Sequence, residues 1–166
     1  MALQIFKIAS YEVENQVDTI TFSNIPQGYT DLKLVISGRT TNTNTSYGIG
    51  YVRPNGATTN LSGRVLEGGG SGYASYSEVA WRFEPNANGS TANTFGNMEV
   101  YIPNYTSANY KSASADTVIE NNATATAMYF KAWLWSSTAA ITSIDVVRHS
   151  TDLWMSSSTF TLYGIL

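Results

Sequence analysis

The sequence has no cysteine and a single histidine, and these two shortages exclude several kinds of chemistry. Without cysteine there is no disulfide framework and no thiolate nucleophile. One imidazole without a thiolate does not assemble a zinc site of the usual kind. His149 lies in the polar segment Arg-His-Ser-Thr-Asp, so we expect a surface or turn position rather than a catalytic base. We therefore predict no metal and no cofactor.

Charged residues are also scarce, at 13% of the chain, with a formal net charge of −3. Soluble proteins carry about 25% charged residues. The nine lysines and arginines are scattered between Lys7 and Arg148 and form no run. Because phosphate binding requires a basic patch, we predict no nucleic-acid partner.

Long hydrophobic runs are missing as well. No segment reaches the roughly 18 consecutive apolar residues that predict a membrane-spanning helix. The first seven residues, MALQIFK, lack a basic region followed by a long apolar stretch, so no signal peptide is predicted. We expect synthesis in a cytoplasm and no membrane partner.

Small polar and aromatic residues are abundant instead. The chain has 19 serines, 20 threonines and 14 asparagines, and 13% of its residues are aromatic. Threonine and aromatic residues favour strands, whereas serine, asparagine and glycine favour turns. With 166 residues the chain is long enough to bury one core. We predict a single all-β domain over residues 1–166, with an N-terminal strand or arm over about residues 1–16.

Alternating apolar residues mark the individual strands. Ile20 and Phe22 form one such row, and Leu32, Leu34 and Ile36 form the next. The intervening residues 24–29 contain a proline and a glycine, which predicts a turn and hence a hairpin.

Further alternating runs follow at residues 98–102, 127–135 and 158–166. Residues 57–77 surround a glycine-rich run, and they predict a long surface loop. Eight to ten short strands with turn residues between them indicate a jelly-roll-like antiparallel β-sandwich.

The strand over residues 127–135 is apolar on both faces. Met128, Phe130 and Leu134 lie on one face, opposite Trp133 and Trp135. Three interpretations remain open for this strand. Both faces are buried within the sandwich, or one face is buried against another subunit, or the tryptophans form a platform on which sugars stack.

Three segments resemble the virion structural proteins of tailed bacteriophages. The first is residues 20–39, beginning ITFSNIP, the second is residues 141–144, and the third is residues 158–165, ending LYGI. The resemblance covers the first ~40 and last ~25 residues, which is typical of a fixed sandwich with variable loops. It implies a β-sandwich that functions in the virion, either as a capsid decoration (cement) protein or in the tail, and it supplies no catalytic residue.

From the resemblance we expect a decoration protein that stabilises the head as a homo-oligomer, most simply a homotrimer, with the major capsid protein or other virion proteins as partners. Its location would be the virion, after synthesis in the host cytoplasm. The N-terminal arm, the 57–77 segment and the two tryptophans are the expected contact regions. The predicted interface residues are Leu3, Ile5, Phe6, Ile8, Tyr73, Tyr76, Trp133 and Trp135.

The alternative is a tail-associated module that binds a receptor or a host surface glycan. It would use tyrosines on loops at one end of the sandwich, namely Tyr47, Tyr73, Tyr76, Tyr105 and Tyr110. An enzyme is the third hypothesis, but the sequence has no Gly-x-Ser-x-Gly elbow, and no lysine follows the glycine run. We therefore predict no catalytic activity.

Overall fold

The computed structural model describes residues 4–70, 72–122 and 126–166, which form thirteen β-strands and no helix. In chain order the strands are β1 (Ile5–Glu12), β2 (Thr19–Phe22), β3 (Asp31–Thr40), β4 (Gly50–Pro54), β5 (Leu61–Gly69), β6 (Gly72–Glu78), β7 (Arg82–Phe83), β8 (Asn86–Ala87), β9 (Gly96–Ile102), β10 (Lys111–Val118), β11 (Ala127–Trp135), β12 (Ile144–Arg148) and β13 (Thr159–Ile165).

Two sheets contain all of these strands. The larger follows the order β1-β13-β3-β9-β10-β11-β5-β6, with the short β8 pairing in parallel with β3. The smaller follows the order β2-β12-β4-β7. Apart from β8, every pairing between these strands is antiparallel.

The strand pairing is nested, as in a jelly roll. In the larger sheet β1 pairs with β13 and β3 with β9, and in the smaller sheet β2 pairs with β12 and β4 with β7. From the ends of the chain towards its middle, successive pairs of these strands lie alternately in the larger and in the smaller sheet. This nesting is the jelly-roll arrangement. The prediction of an all-β, jelly-roll-like antiparallel sandwich is confirmed.

The predicted opening hairpin is wrong. β2 pairs with β12 in the smaller sheet, whereas β3 pairs with β13 and β9 in the larger one. Residues 23–30 therefore connect the two layers instead of closing a hairpin. The alternation within each strand was interpreted correctly, but alternation specifies which residues share a face and not which strand lies alongside.

The predicted surface loop over residues 57–77 is also wrong. This segment contains β5 and most of β6, which pair as an antiparallel hairpin from Gly63↔Glu78 to Gly69↔Gly72. Together with β10 and β11 this hairpin widens the larger sheet beyond the jelly-roll strands, in the order β10-β11-β5-β6. We refer to these four strands as the sheet extension.

The main core lies between the two layers. Leu34, Ile36 and Leu162 of the larger sheet and Val52 and Val146 of the smaller sheet are almost completely buried in one hydrophobic cluster. This cluster continues under the sheet extension through Ala113, Ala115, Trp133 and Trp135. The extension is therefore packed onto the same core as the jelly roll.

Candidate binding cavity and apolar face

The two faces of the sheet extension are unlike. Along β10 every second residue, from Lys111 to Thr117, is buried, and along β11 the buried row starts at Tyr129 and continues to Trp135. The opposite row of β11 is solvent-exposed, with Met128 at 62% and Phe130 at 60%. The inner face holds the core, and large apolar side chains remain on the outer face.

The interface prediction for Trp133 and Trp135 is wrong, because both side chains lie inside the sandwich. They are 2% and 6% exposed, and Trp133 stacks on Trp81 in the segment before β7. Of the three interpretations of this strand, burial of the tryptophan face within the sandwich is the one that the structure supports. The face with Met128 and Phe130 is the exposed one.

A buried group of charges lies beneath β11. Nζ of Lys131 lies 2.8 Å from Oε2 of Glu84 and donates a hydrogen bond to the Arg82 carbonyl. Nε of Arg82 lies 3.2 Å from Oε1 of Glu84. Glu78 completes the group, 3.7 Å from Nζ of Lys131. Two cations and two carboxylates thus offset one another in a site that is buried except for the partly exposed side chain of Arg82.

Desolvation dominates the titration of the two acids in this group. Burial raises the pKa of Glu84 above its ordinary value, and the neighbouring Lys131 and Arg82 oppose that shift. Burial likewise raises the pKa of Glu78. Because Lys131 and Glu84 are completely buried, no ligand in solvent reaches their charged atoms. We interpret the group as an electrostatic contact that joins β11 to the segment around β7, and not as a catalytic or binding site.

An apolar groove runs along the outer face of the sheet extension. It has a volume of about 380 Å³ and is lined chiefly by Leu66, Tyr73, Val118, Met128 and Phe130. Gly68 pairs with Met128 on one side and with Tyr73 on the other. Because Gly68 has no side chain, it leaves a gap between these two large residues, and this gap forms the floor of the groove.

A second hollow, the tyrosine cavity, lies at the end of the extension where β5 turns into β6. Its volume is about 400 Å³, and Tyr47, Tyr73, Tyr129 and Glu67 line it together with Ser46 and the small residues Gly69, Gly70, Gly72 and Ala74. The rings of Tyr47 and Tyr129 meet edge to face, with centroids 6.3 Å apart. Tyr73 borders both the cavity and the apolar groove. Its side chain lies on the groove side, because Tyr73 pairs with Gly68, which pairs with Met128.

Two phenols hold the carboxylate of Glu67. The hydroxyl of Tyr76 donates to Oε2 at 3.1 Å, and that of Tyr129 donates to Oε1 at 3.4 Å. Burial first, and then the negative charges of nearby glutamates, raise the pKa of both tyrosines far above the ordinary value. Both phenols therefore remain protonated, and they fix the orientation of a carboxylate that lines the cavity.

The structure separates the remaining predicted interface residues into two regions. Ile5 and Phe6 are exposed on β1, and Ile8 is half-buried against the core. Tyr73 and Tyr76 are on β6, at the opposite end of the nine-stranded sheet from β1. Leu3 lies outside the described residues. These residues therefore do not form one continuous surface.

The tyrosine-rich surface predicted for glycan binding is assembled only in part. Tyr47 and Tyr73 line the cavity, and Tyr76 holds its carboxylate. Tyr105 is completely buried and donates its hydroxyl to the Pro26 carbonyl. Tyr110 immediately precedes β10, and it is the opposite end of β10 that lies near the cavity. The expectation for Tyr105 and Tyr110 is therefore wrong.

Sequence reasoning missed two residues of the cavity, Tyr129 and Glu67. Tyr129 lies in a correctly predicted strand, but the alternation alone assigned it no role in binding. Glu67 lies in the segment that was predicted to be a loop. A signal was present in both cases, because Tyr129 lies on the same face as the buried tryptophans, and Glu67 belongs to a run with strand-like spacing from Val65.

His149 lies in the turn after β12, as expected. Its Nδ1 is 3.0 Å from the Tyr51 hydroxyl, and its backbone N–H donates to the Ile49 carbonyl. Within the described ranges, no group of three or more His, Asp or Glu side chains is placed to hold a metal ion. The same part of the chain contains no helix long and apolar enough to cross a membrane.

Comparison of the chain with protein-family models, with curated proteins and with solved structures finds no match. The fold therefore defines the class of the protein, a jelly-roll β-sandwich with an added four-stranded extension. The resemblance of its terminal segments to phage virion proteins stays a prediction.

Proposed function

We propose that this protein is a structural component of a tailed-bacteriophage virion that decorates and stabilises the capsid as a homo-oligomer. Its partners are further copies of itself, most simply in a trimer, and the major capsid protein or other virion proteins. The terminal segments that resemble such proteins supply the starting point. In this proposal the protein binds without breaking covalent bonds and requires no cofactor.

The observation that carries the proposal is the apolar groove on the outer face of the sheet extension. Monomeric proteins rarely leave large apolar side chains clustered on their surface, and such clusters mark interaction sites. Here Met128, Phe130 and Leu66 are each more than half exposed on neighbouring strands, and Tyr73 is 90% exposed. A second protein surface would remove this area from water.

The rest of the surface also suits a virion subunit. Few residues are charged, so the exposed polar groups are mainly the hydroxyls and amides of serine, threonine and asparagine. Contacts between such groups are hydrogen-bonded and often bridged by water, as in many specific interfaces. The outermost strands of the larger sheet, β1 and β6, each have one edge that pairs with no other described strand, and another chain can add there.

Counting the copies in purified particles tests the location. Quantitative mass spectrometry of intact virions should give a copy number comparable to that of the major capsid protein. A copy number that is only a small fraction of this value, or absence from the particle, contradicts capsid decoration.

A variant of the groove tests the contact surface. Phe130→Ser should lower the mass of the isolated protein, measured by light scattering, from that of an oligomer to that of a monomer. Val79→Ser is the matched control, because Val79 is 86% exposed but lies outside the groove. If Phe130→Ser leaves the mass unchanged, the groove is not the interface between copies. If the unmodified protein is already a monomer and Phe130→Ser still binds capsids, the groove is not the interface with the capsid.

The second candidate is a tail-associated module that binds a receptor or glycan. The tyrosine cavity favours it, since aromatic rings beside a fixed carboxylate suit a small polar ligand. A low copy number, together with specific binding of the isolated protein to host cells, would support this candidate over decoration.

A further inference from the structure

We infer that the tyrosine cavity is a binding site for a neutral sugar residue, such as a hexose or an N-acetylhexosamine at the end of a surface glycan. The inference concerns the cavity alone. It does not depend on whether the protein sits on the head or on the tail of a virion.

The carboxylate of Glu67 supplies the polar half of the site. An ionised carboxylate has about four acceptor positions. The phenols of Tyr76 and Tyr129 occupy one on each oxygen. The positions that remain can accept hydrogen bonds from sugar hydroxyls, and the two phenols hold the carboxylate in place before any ligand arrives. Such preorganisation reduces the entropic cost of binding.

The ring of Tyr47 supplies the apolar half. A pyranose ring has a face of C–H groups that packs on the face of an aromatic ring, while its hydroxyls point sideways. Tyr47 is steadied by the edge-to-face contact with Tyr129. The cavity of about 400 Å³ lies within the size range of small-ligand sites, ~300–1,000 Å³.

The charge of the cavity selects against anionic ligands. Glu67 is the only charged side chain among the described residues that line it, and no lysine or arginine is among them. A phosphate, a uronic acid or a sialic acid would meet an uncompensated negative charge. Aromatic rings and a carboxylate also suit a quaternary ammonium group. Ser46, Gly69, Gly70 and Gly72 also line the cavity and add no further aromatic ring, so a ligand with many hydroxyls is favoured and choline is the competing probe.

Saturation-transfer NMR on the full chain tests the assignment. The neutral probes are the methyl glycosides of glucose, galactose and mannose, and N-acetylglucosamine. Methyl glucuronide and choline are the charged probes. We expect transfer to at least one neutral sugar, and none to methyl glucuronide or choline.

Three variants locate the site. Tyr47→Ala removes the ring, and Glu67→Gln removes the charge while keeping an acceptor for the phenols. Gly72→Leu places a side chain at the cavity, at a position where a Cβ meets no atom within 4 Å. Tyr47→Ala and Glu67→Gln should each weaken the binding of the neutral sugar about fivefold or more, because ring stacking and a hydrogen bond to a charged group each contribute at least that factor. Gly72→Leu should weaken it because the new side chain occupies the cavity. Tyr110→Ala, at an exposed tyrosine away from the cavity, is the matched control and should bind as the unmodified protein does.

Three results would overturn the inference. The first is that no neutral sugar binds the unmodified protein, and the second is that choline or methyl glucuronide binds in preference. The third is that Tyr47→Ala and Gly72→Leu both retain full affinity. Because Gly72 is exposed and does not belong to the core, Gly72→Leu remains informative even if another variant fails to fold. None of these results bears on the copy number in particles, so the proposed role in the virion is tested separately.

Discussion

The indole rings of Trp81 and Trp133 are stacked, with centroids 5.3 Å apart and planes inclined by 11°. Trp81 precedes β7 of the smaller sheet, and Trp133 is on β11 of the sheet extension. The backbone N–H of Val52 donates to the Trp81 carbonyl, which fixes the position of the first ring against β4. The stack therefore joins the added strands to the jelly roll and determines which face of β11 is buried.

Single substitutions on the two faces of β11 should differ greatly in their effect on the free energy of unfolding. Trp133→Ala removes a buried ring and should lower the free energy of unfolding by about 3–5 kcal/mol. Phe130→Ala removes a ring of comparable kind from the exposed face and should cost about 1 kcal/mol or less. Urea denaturation of both variants, at concentrations at which the protein is monomeric, measures the difference. Equal losses would mean that the assignment of the faces is wrong.

Separating the charges beneath β11 should destabilise the fold strongly. Lys131→Met leaves Glu84 in the interior without its closest cation, and the expected cost is about 3–5 kcal/mol. Glu84→Gln should have a comparable effect, because Lys131 then lacks its closest carboxylate and retains only Glu78, 3.7 Å away. The double variant should recover much of the loss, since it buries neither of the two charges. Chemical denaturation of the unmodified protein and of the three variants gives a double-mutant cycle.

The ion pair between Lys33 and Glu99 is the matched control for that cycle. Its Nζ–Oε1 distance is 2.7 Å, but both side chains are partly exposed on the outer face. Lys33→Met should cost about 1 kcal/mol or less, because solvent screens the pair. A cost as large as that of Lys131→Met would show that burial is not the cause of the difference.

Arg39 should control the order of the segment between β8 and β9. Its guanidinium donates to the carbonyls of Thr91 and Thr94 at 2.8 Å each, and to those of Asn88 and Ser90 at 3.2 and 3.1 Å. A lysine cannot reach four carbonyls in this fork geometry. Arg39→Lys should therefore speed hydrogen exchange in residues 88–94 and cost about 2 kcal/mol.

Arg64→Lys provides the comparison for Arg39. The Arg64 side chain is exposed and donates to the Ser77 hydroxyl at 2.6 Å. We expect this variant to change the free energy of unfolding by about 0.5 kcal/mol or less. Unaltered exchange in residues 88–94 of Arg39→Lys would refute the role assigned to Arg39.

Alkaline titration should reveal the two tyrosines that hold Glu67. Burial, assisted by the negative charges of nearby glutamates, holds the pKa of Tyr76 and Tyr129 above the value of about 10 found in unfolded chains. The folded state therefore binds more protons than the unfolded state above that pH. Stability from this source is present below pH ~10 and is lost as the pH rises further. Tyrosinate absorbance should show these two phenols ionising only as the chain unfolds.

Glu67→Gln gives the corresponding variant test. Removing the carboxylate charge should lower the pKa of Tyr76 towards the ordinary value while its burial persists. Tyr110 serves as the internal reference, because it is exposed in the loop before β10. If Tyr76 ionises together with the exposed tyrosines in the unmodified protein, the hydrogen bond to Glu67 is absent in solution.

The local pattern predicted some strands closely. The alternation over residues 127–135 has the same bounds as β11, and the rows at Met98, Val100 and Ile102 and at Phe160 and Leu162 are the buried rows of β9 and β13. By contrast, β6 was missed because it is an edge strand whose side chains are nearly all exposed or half-buried, so it carries no apolar row. Its glycine-rich connection to β5 looked like a loop for the same reason.

The amino-acid sequence by itself determined that the chain forms short pleated strands, because alternation and turn residues act over a few neighbouring positions. Only the tertiary structure decided that β2 and β3 belong to different sheets. It also decided that the tryptophan face of β11 is the buried one, because Trp81 and Glu84 provide partners for Trp133 and Lys131 from distant parts of the chain. The tyrosine cavity likewise exists because β5, β6 and β11 meet with the segment at Tyr47. Such encounters depend on long-range packing, which no local pattern encodes.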